Sequence, residues 1–115
     1  PHFARLNKRI FEFLFVRKHL KPSHHIRKQA QQLSKSAYFD SSYYLEKYAD
    51  VKKRKYDPAV HYLLFGWNEG RKPSAEFDTD FYLQNYPDVS LSGMNPLIHY
   101  IKYGEAEGRT IKMNK

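Results

Sequence analysis

The 115-residue chain has no cysteine, which excludes disulfide staples, thiolate nucleophiles and cysteine-ligated zinc, and leaves a reducing compartment open to it. Glycine is scarce, at 5 residues, and none of it forms a phosphate-cradling loop. GxSxG and HExxH are missing, and no nucleophile stands beside a base at local spacing. The longest unbroken apolar stretch, Phe13-Leu14-Phe15-Val16, falls far short of the roughly 18 residues that a membrane-spanning helix needs. No secretory leader is read at the N-terminus. The chain opens on Pro1, from which we expect a piece of a longer protein.

Aromatic residues are abundant, with 10 Tyr and 8 Phe. A small domain can build its core from rings, because each ring buries a large area and a tyrosine keeps a hydroxyl at the rim. Hydrophobic residues at 41% and charged residues at 28% fit a folded globular class.

Internal repetition organises the sequence. Residues 39–71 align with 77–109 without a gap, at an offset of 38. Asp40, Tyr44, Leu45, Tyr48, Asp50 and Val51 recur as Asp78, Tyr82, Leu83, Tyr86, Asp88 and Val89. Pro58, His61, Tyr62, Gly66, Glu69, Gly70 and Arg71 recur as Pro96, His99, Tyr100, Gly104, Glu107, Gly108 and Arg109. Each copy reads as two short helices. Asp40 and Asp78 are N-caps, since a carboxylate there accepts from the free N–H groups of the first turn. Asp57-Pro58 and Asn95-Pro96 start the second helix, with Pro at its first position. Gly66 and Gly104 are expected to stop that helix in the left-handed conformation, and Gly70 and Gly108 to make a further tight turn.

The chain divides into a basic arm at 1–37, repeat 1 at 38–76 and repeat 2 at 77–115. Phe3, Leu6, Ile10, Phe13, Leu14 and Leu20 give the arm an amphipathic helix that Pro22 ends. Ser23 then caps a second helix carrying Ile26, Ala30 and Leu33. Two repeats are fewer than a free-standing array usually needs, so the arm is expected to cap the first. It holds nine Lys or Arg against one acid, Glu12, which matches the whole chain's formal charge of +8. Three readings follow: a helix packed on the repeats with its charges in water, a contact with an anionic membrane surface, or a nucleic-acid contact. Phe11 and Phe15, off the main stripe, widen the apolar face beyond what one small neighbour would cover and so add to the membrane reading.

Other motifs have structural readings. Asp78-Thr79-Asp80 has DxD spacing, but Asp78 is already an N-cap. His61 and His99, at matched positions, read as packing residues, and His24-His25 as a polar helix start; zinc would need three or four convergent ligands. Asp50 with Arg71, and Asp88 with Arg109, are expected to pair and tie the end of each repeat to its middle. Lys52-Lys53-Arg54-Lys55 reads as a solvated inter-helix loop, because the second copy has Ser90-Leu91-Ser92-Gly93 there. No catalytic residue, cofactor or metal is expected.

FDSSYYLEKYADV and FDTDFYLQNYPDV, with DPAVHYLLFGWNEGRKPS and NPLIHYIKYGEAEGR, resemble the tandem FDxxYYLxxxPDV…NPLxHYxxxGxxEGR units in the N-terminal region of bacterial surface-polysaccharide glycosyltransferases of capsule, O-antigen and rhamnan type. The resemblance covers roughly residues 30–112. Ala49 stands where the pattern has Pro, which Pro87 keeps, and Lys52 to Lys55 replace small residues. The helical arm and helix-pair repeats predict an all-α fold, and the resemblance implies an accessory region in the bacterial cytoplasm that positions a catalytic domain at the inner face of the membrane or docks it onto assembly partners. The catalytic domain of the parent enzyme is its partner in cis, and polysaccharide-assembly proteins are further partners. Arg5, Lys8, Arg9, Arg17 and Lys18 would meet lipid headgroups, with Phe11, Phe15 and Val16 dipping into the interface. The competing reading is a protein-interaction module that presents exposed tyrosines and Trp67.

Overall fold

The structure is a computed structural model and describes residues 22–113. The expected first helix of the arm, with Arg5, Lys8, Arg9, Phe11, Phe15, Val16, Arg17 and Lys18, lies outside the described residues.

The described chain is all-α. Helix α1 (His24–Lys35) starts at Ser23, whose side chain accepts from the Ile26 N–H at 3.2 Å. Repeat 1 follows as α2 (Ser41–Lys47), α3 (Ala49–Lys53) and α4 (Pro58–Leu64), closed by a 3₁₀ turn at Gly66–Glu69. Repeat 2 follows as α5 (Thr79–Asn85), α6 (Pro87–Ser92) and α7 (Pro96–His99), which runs into a π turn at Tyr100–Gly104.

The polar starts fall where the sequence puts them. Asp40 and Asp78 accept from the N–H groups of Tyr43 and Phe81 at 3.0 and 3.1 Å. Asp57 accepts from Val60 N–H at 3.1 Å, and Asn95 from Leu97 and Ile98 at 2.9 and 3.1 Å. Each satisfies a donor that the first helical turn leaves open.

Two expectations need correction. The first segment of each repeat is not one helix but two, broken at Tyr48 (φ −117°, ψ 83°) and Tyr86 (φ −129°, ψ 79°). Pro87 enforces the second break, because its ring disfavours helical geometry at the residue before it. Ala49 imposes nothing of the kind. There the break coincides with a clamp on Tyr48, whose ring lies under Arg71 and whose hydroxyl accepts from the Lys72 N–H at 2.7 Å.

The second correction concerns Gly66 and Gly104, which are not left-handed; positive φ belongs instead to Gly70, Gly93 and Gly108. Gly66 is needed for space: a Cβ there would collide with the Tyr44 hydroxyl, and one at Gly104 with the Tyr82 hydroxyl. Gly70 and Gly108 do close a Schellman turn. Arg71 N–H reaches Gly66 C=O at 2.9 Å, and Arg109 N–H reaches Gly104 C=O at 3.0 Å.

The core is aromatic. Phe39, Tyr44, Tyr62, Phe77 and Tyr82 are buried with Leu33, Val51, Val89 and Leu97. Phe39 packs on Tyr44 and Tyr62, and Phe77 on Tyr82 and Tyr100, with ring centroids 5.2–6.1 Å apart. Each repeat is tied shut where it begins: Asp40 N–H meets Pro73 C=O at 2.9 Å, and Asp78 N–H meets Ile111 C=O at 2.8 Å.

The repeats also hold each other. Thr79 Oγ donates to Arg71 C=O at 2.7 Å, so the Tyr62 hydroxyl, 2.8 Å away, donates to Thr79. Tyr38, at the start of repeat 1, sets its ring edge on Tyr100 at 5.1 Å and bonds Glu105 at 2.8 Å. Helix α1 packs on α4 and also reaches α7, burying Ala30 and Leu33.

Gly66→Ala should therefore cost about 1–3 kcal/mol, the usual penalty of overpacking, read by urea unfolding. In a Tyr44→Phe background the same change should cost clearly less, since the hydroxyl that a Cβ would strike is gone. Equal costs in the two backgrounds would refute the close approach as the reason for glycine.

Candidate functional site

The residues shared by the two repeats gather into one cluster per repeat. In repeat 1 the Tyr44 hydroxyl meets His61 Nδ1 at 2.8 Å, with both residues buried. In repeat 2 Tyr82 meets His99 Nδ1, also at 2.8 Å. Burial pushes the Tyr44 hydroxyl well above the ordinary phenol range and the Tyr82 hydroxyl up to about 12. Neither is poised to act as a base near neutral pH.

Around each pair sits an arginine clamp. Arg71 binds Asp50 bidentately at 2.9 and 2.8 Å, contacts Glu69, and lies 4.7 Å over the Tyr48 ring. Arg109 repeats this with Asp88 at 3.0 and 2.9 Å, Glu107 at 2.6 Å and the Tyr86 ring at 4.7 Å. The planar guanidinium suits this task, since it forks onto a carboxylate while stacking on a ring. The Schellman turn at Gly70 or Gly108 immediately precedes each arginine.

Asp78-Thr79-Asp80 is divided among structural tasks. Asp78 caps α5 and stands 3.6 Å from Lys72, Thr79 is buried between the repeats, and Asp80 lies against Gly70. No cluster of three metal-ligating side chains occurs among the described residues. His24 and His25 are exposed at the start of α1.

The two clusters differ in cover. Tyr56 packs over His61 and Phe65, and Phe65 is 8% exposed. In repeat 2 Met94 takes the place of Tyr56, and Tyr103 takes that of Phe65 and is 50% exposed. Leu91, Tyr103 and Met113, the large apolar residues exposed among those described, all lie in repeat 2, whereas Trp67 is half-buried.

Charge is segregated as well. A groove between α1 and the start of α4 is lined by Arg27, Lys35 and Asp57 over Ala30 and Val60. Of Lys52-Lys53-Arg54-Lys55, expected as an inter-helix loop, Lys52 and Lys53 instead close the last turn of α3, and only Arg54 and Lys55 form the turn beyond it; all four residues are exposed. Sequence reasoning missed Thr79, Tyr38 and Tyr56; Tyr38 and Tyr56 face Glu76 and Met94 at offset 38, and Thr79 has only Ser41 there, so repetition did not mark them. It also missed the left-handed Lys55. The one available signal for Lys55 was Gly93 at the matching position.

No protein-family model matches the chain, and no curated protein or solved structure matches it significantly. No described helix is long and apolar enough to cross a membrane.

The clusters set an acid sensitivity. The Arg71 hydrogen bonds hold the Asp50 carboxyl below its usual range, and those of Arg109 do the same for Asp88. A carboxyl depressed in the folded state stabilises fully above the unfolded value of about 3.9 and loses that contribution as pH falls through the folded value. Burial, then Arg109, lowers His99. The unfolded chain therefore takes up this proton first, and stability declines as pH drops below about 6.5. His99→Asn should flatten the fall in thermal midpoint between pH 7 and pH 5. An unchanged slope would show that another group governs it.

Proposed function

We propose that this chain is a non-catalytic accessory region of a bacterial glycosyltransferase of surface-polysaccharide synthesis, positioning the catalytic domain at the inner membrane face or on assembly partners. The observation that carries the reading is the use made of the repeated side chains. Tyr44, His61, Asp50 and Arg71, with their counterparts Tyr82, His99, Asp88 and Arg109, all bond within their own repeat. Such a cluster is a scaffold that sets the geometry of what it joins. The resemblance of the repeats to those enzymes names the parent, whose activity would belong to the catalytic domain.

The basic arm supplies the membrane contact in this reading. Basic side chains beside an anionic leaflet contribute about 1 kcal/mol each, and an apolar face adds burial. The intact chain should float with anionic vesicles at low salt and not with neutral ones. Replacing Arg5, Lys8, Arg9, Arg17 and Lys18 with Ser should remove most of that binding. Undiminished flotation of the substituted chain would rule the arm out as the anchor.

Protein docking is the second reading, favoured by the exposure of Leu91, Tyr103 and Met113 on repeat 2. It expects a partner whose affinity drops at least about tenfold on Tyr103→Ala, in the range of interface hot spots, and is indifferent to the arm. Binding lost with the arm and untouched by Tyr103→Ala would count against it.

A further inference from the structure

The cations at the end of α3 and in the turn beyond it are exposed, and one of them has an unusual backbone geometry. Lys55 is the one non-glycine residue with positive φ among those described, at 59°. Its counterpart in repeat 2 is Gly93, at φ 74°. An L-residue with a long side chain is strained in this region, where glycine is not. A helix C-terminus favours cations through its dipole, which accounts for Lys52 and Lys53 in the last turn of α3. It does not account for a strained lysine beyond the helix, where repeat 2 shows that glycine serves the same turn.

The surroundings add charge. The turn leads into Asp57, which lines the same groove as Arg27 and Lys35. The neighbouring acids are engaged: Asp57 caps Val60, and Asp50 is held by Arg71. Three of the turn's four cations are lysines, which act as mobile point charges rather than as forks reading a fixed geometry. The exposed aromatic ring among the described residues, Tyr103, stands in repeat 2 and not among these cations. Single-stranded nucleic-acid grooves set such rings between their charges. Charge complementarity therefore points to a smooth anionic surface.

We propose that the turn at residues 52–55, with the α1 face carrying Arg27 and Lys35, is a docking edge for an anionic bilayer surface and orients the repeats upon it. The choice of a bilayer rests on the membrane-face reading above, but the edge belongs to the folded repeats and not to the arm. Repeat 1 then faces the lipid headgroups through this edge.

The test uses the full chain and sedimentation with vesicles of phosphatidylcholine containing about a third phosphatidylserine. Lys52→Ser, Lys53→Ser and Lys55→Ser together should weaken binding about tenfold or more at low salt, at about a factor of five per lysine as an upper measure. The loss should appear with the arm intact and again, on a weaker baseline, with the five arm cations replaced by Ser. If only the arm substitutions matter, the docking edge is refuted and the arm anchor stands. If only the turn substitutions matter, the edge stands and the arm anchor falls.

Lys55→Gly separates strain from charge: it should raise the thermal midpoint and weaken vesicle binding several-fold. Higher stability with unchanged binding would overturn the proposal, and so would a lower midpoint. Tighter binding of duplex DNA than of these vesicles at equal salt would likewise overturn it.

Discussion

A tyrosine hydroxyl carried into an aromatic core needs both a polar partner and room, and leaving it without a partner costs about 1–3 kcal/mol. Tyr44 meets both demands at once. His61 Nδ1 supplies the hydrogen bond, and Gly66 leaves open the space that the hydroxyl would otherwise contest with a Cβ. The rest of the repeat can be traced from there. His61 must lie on α4 facing back toward α2, so α4 has to start at Asp57-Pro58. Gly66 must follow within a turn and a half, and the chain then turns at Gly70 so that Arg71 comes back over Tyr48 and onto Asp50. Repeat 2 reproduces each step with Tyr82, His99, Gly104, Gly108, Arg109 and Asp88. The hydroxyl's need for a partner and for room is thus met in the same way in both repeats.

This dependence explains what could be read from sequence and what could not. Caps and turns are local: Asp40, Asp57, Asp78 and Asn95 announce helix starts within three residues of the groups they satisfy, and Ser23 does the same for α1. The expected Asp50–Arg71 and Asp88–Arg109 pairs coincide with contacts in the structure, and repetition of both partners is what suggested them. Gly66 was readable as a special position but not as the right kind of special. A glycine needed for φ and a glycine needed for space look alike in sequence, and only the position of the Tyr44 hydroxyl separates them. The break at Tyr48 was hidden for a related reason. Pro87 signals it in repeat 2, whereas in repeat 1 the contacts accompanying it come from Arg71 and Lys72, more than twenty residues away.

Parts outside the repeated pattern cover the two repeats and join them. Helix α1 lays Ala30 and Leu33 against α4 and reaches α7, so it touches both repeats. Tyr62 donates to Thr79 at the start of repeat 2, while Tyr38, at the start of repeat 1, packs on Tyr100. Each repeat's second-helix tyrosine is thus met by the lead-in of the other repeat. Thr79 has Ser41 as its counterpart, and Tyr38 has Glu76, so the two halves share the exchange of contacts but not the residues that make it.

The departures from repetition are where the two halves differ in what they present to their surroundings. Repeat 1 covers its histidine with Tyr56 and Phe65 and carries the cationic turn, while repeat 2 exposes Tyr103 and Leu91 and carries Gly93 and serines in place of the cations. Were both repeats only spacers, each would be free to relax toward the less strained version of that turn, which is the glycine of repeat 2. Repeat 1 instead keeps a lysine in left-handed geometry beside the groove of Arg27 and Lys35. The turn is closed at the end of α3 by Lys55 N–H on Lys52 C=O at 3.1 Å and Tyr56 N–H on Val51 C=O at 3.3 Å, so the backbone holds the lysine in this geometry whatever its side chain meets. Repeat 1 thus exposes cations at Lys52 to Lys55, and repeat 2 exposes apolar side chains at Leu91 and Tyr103.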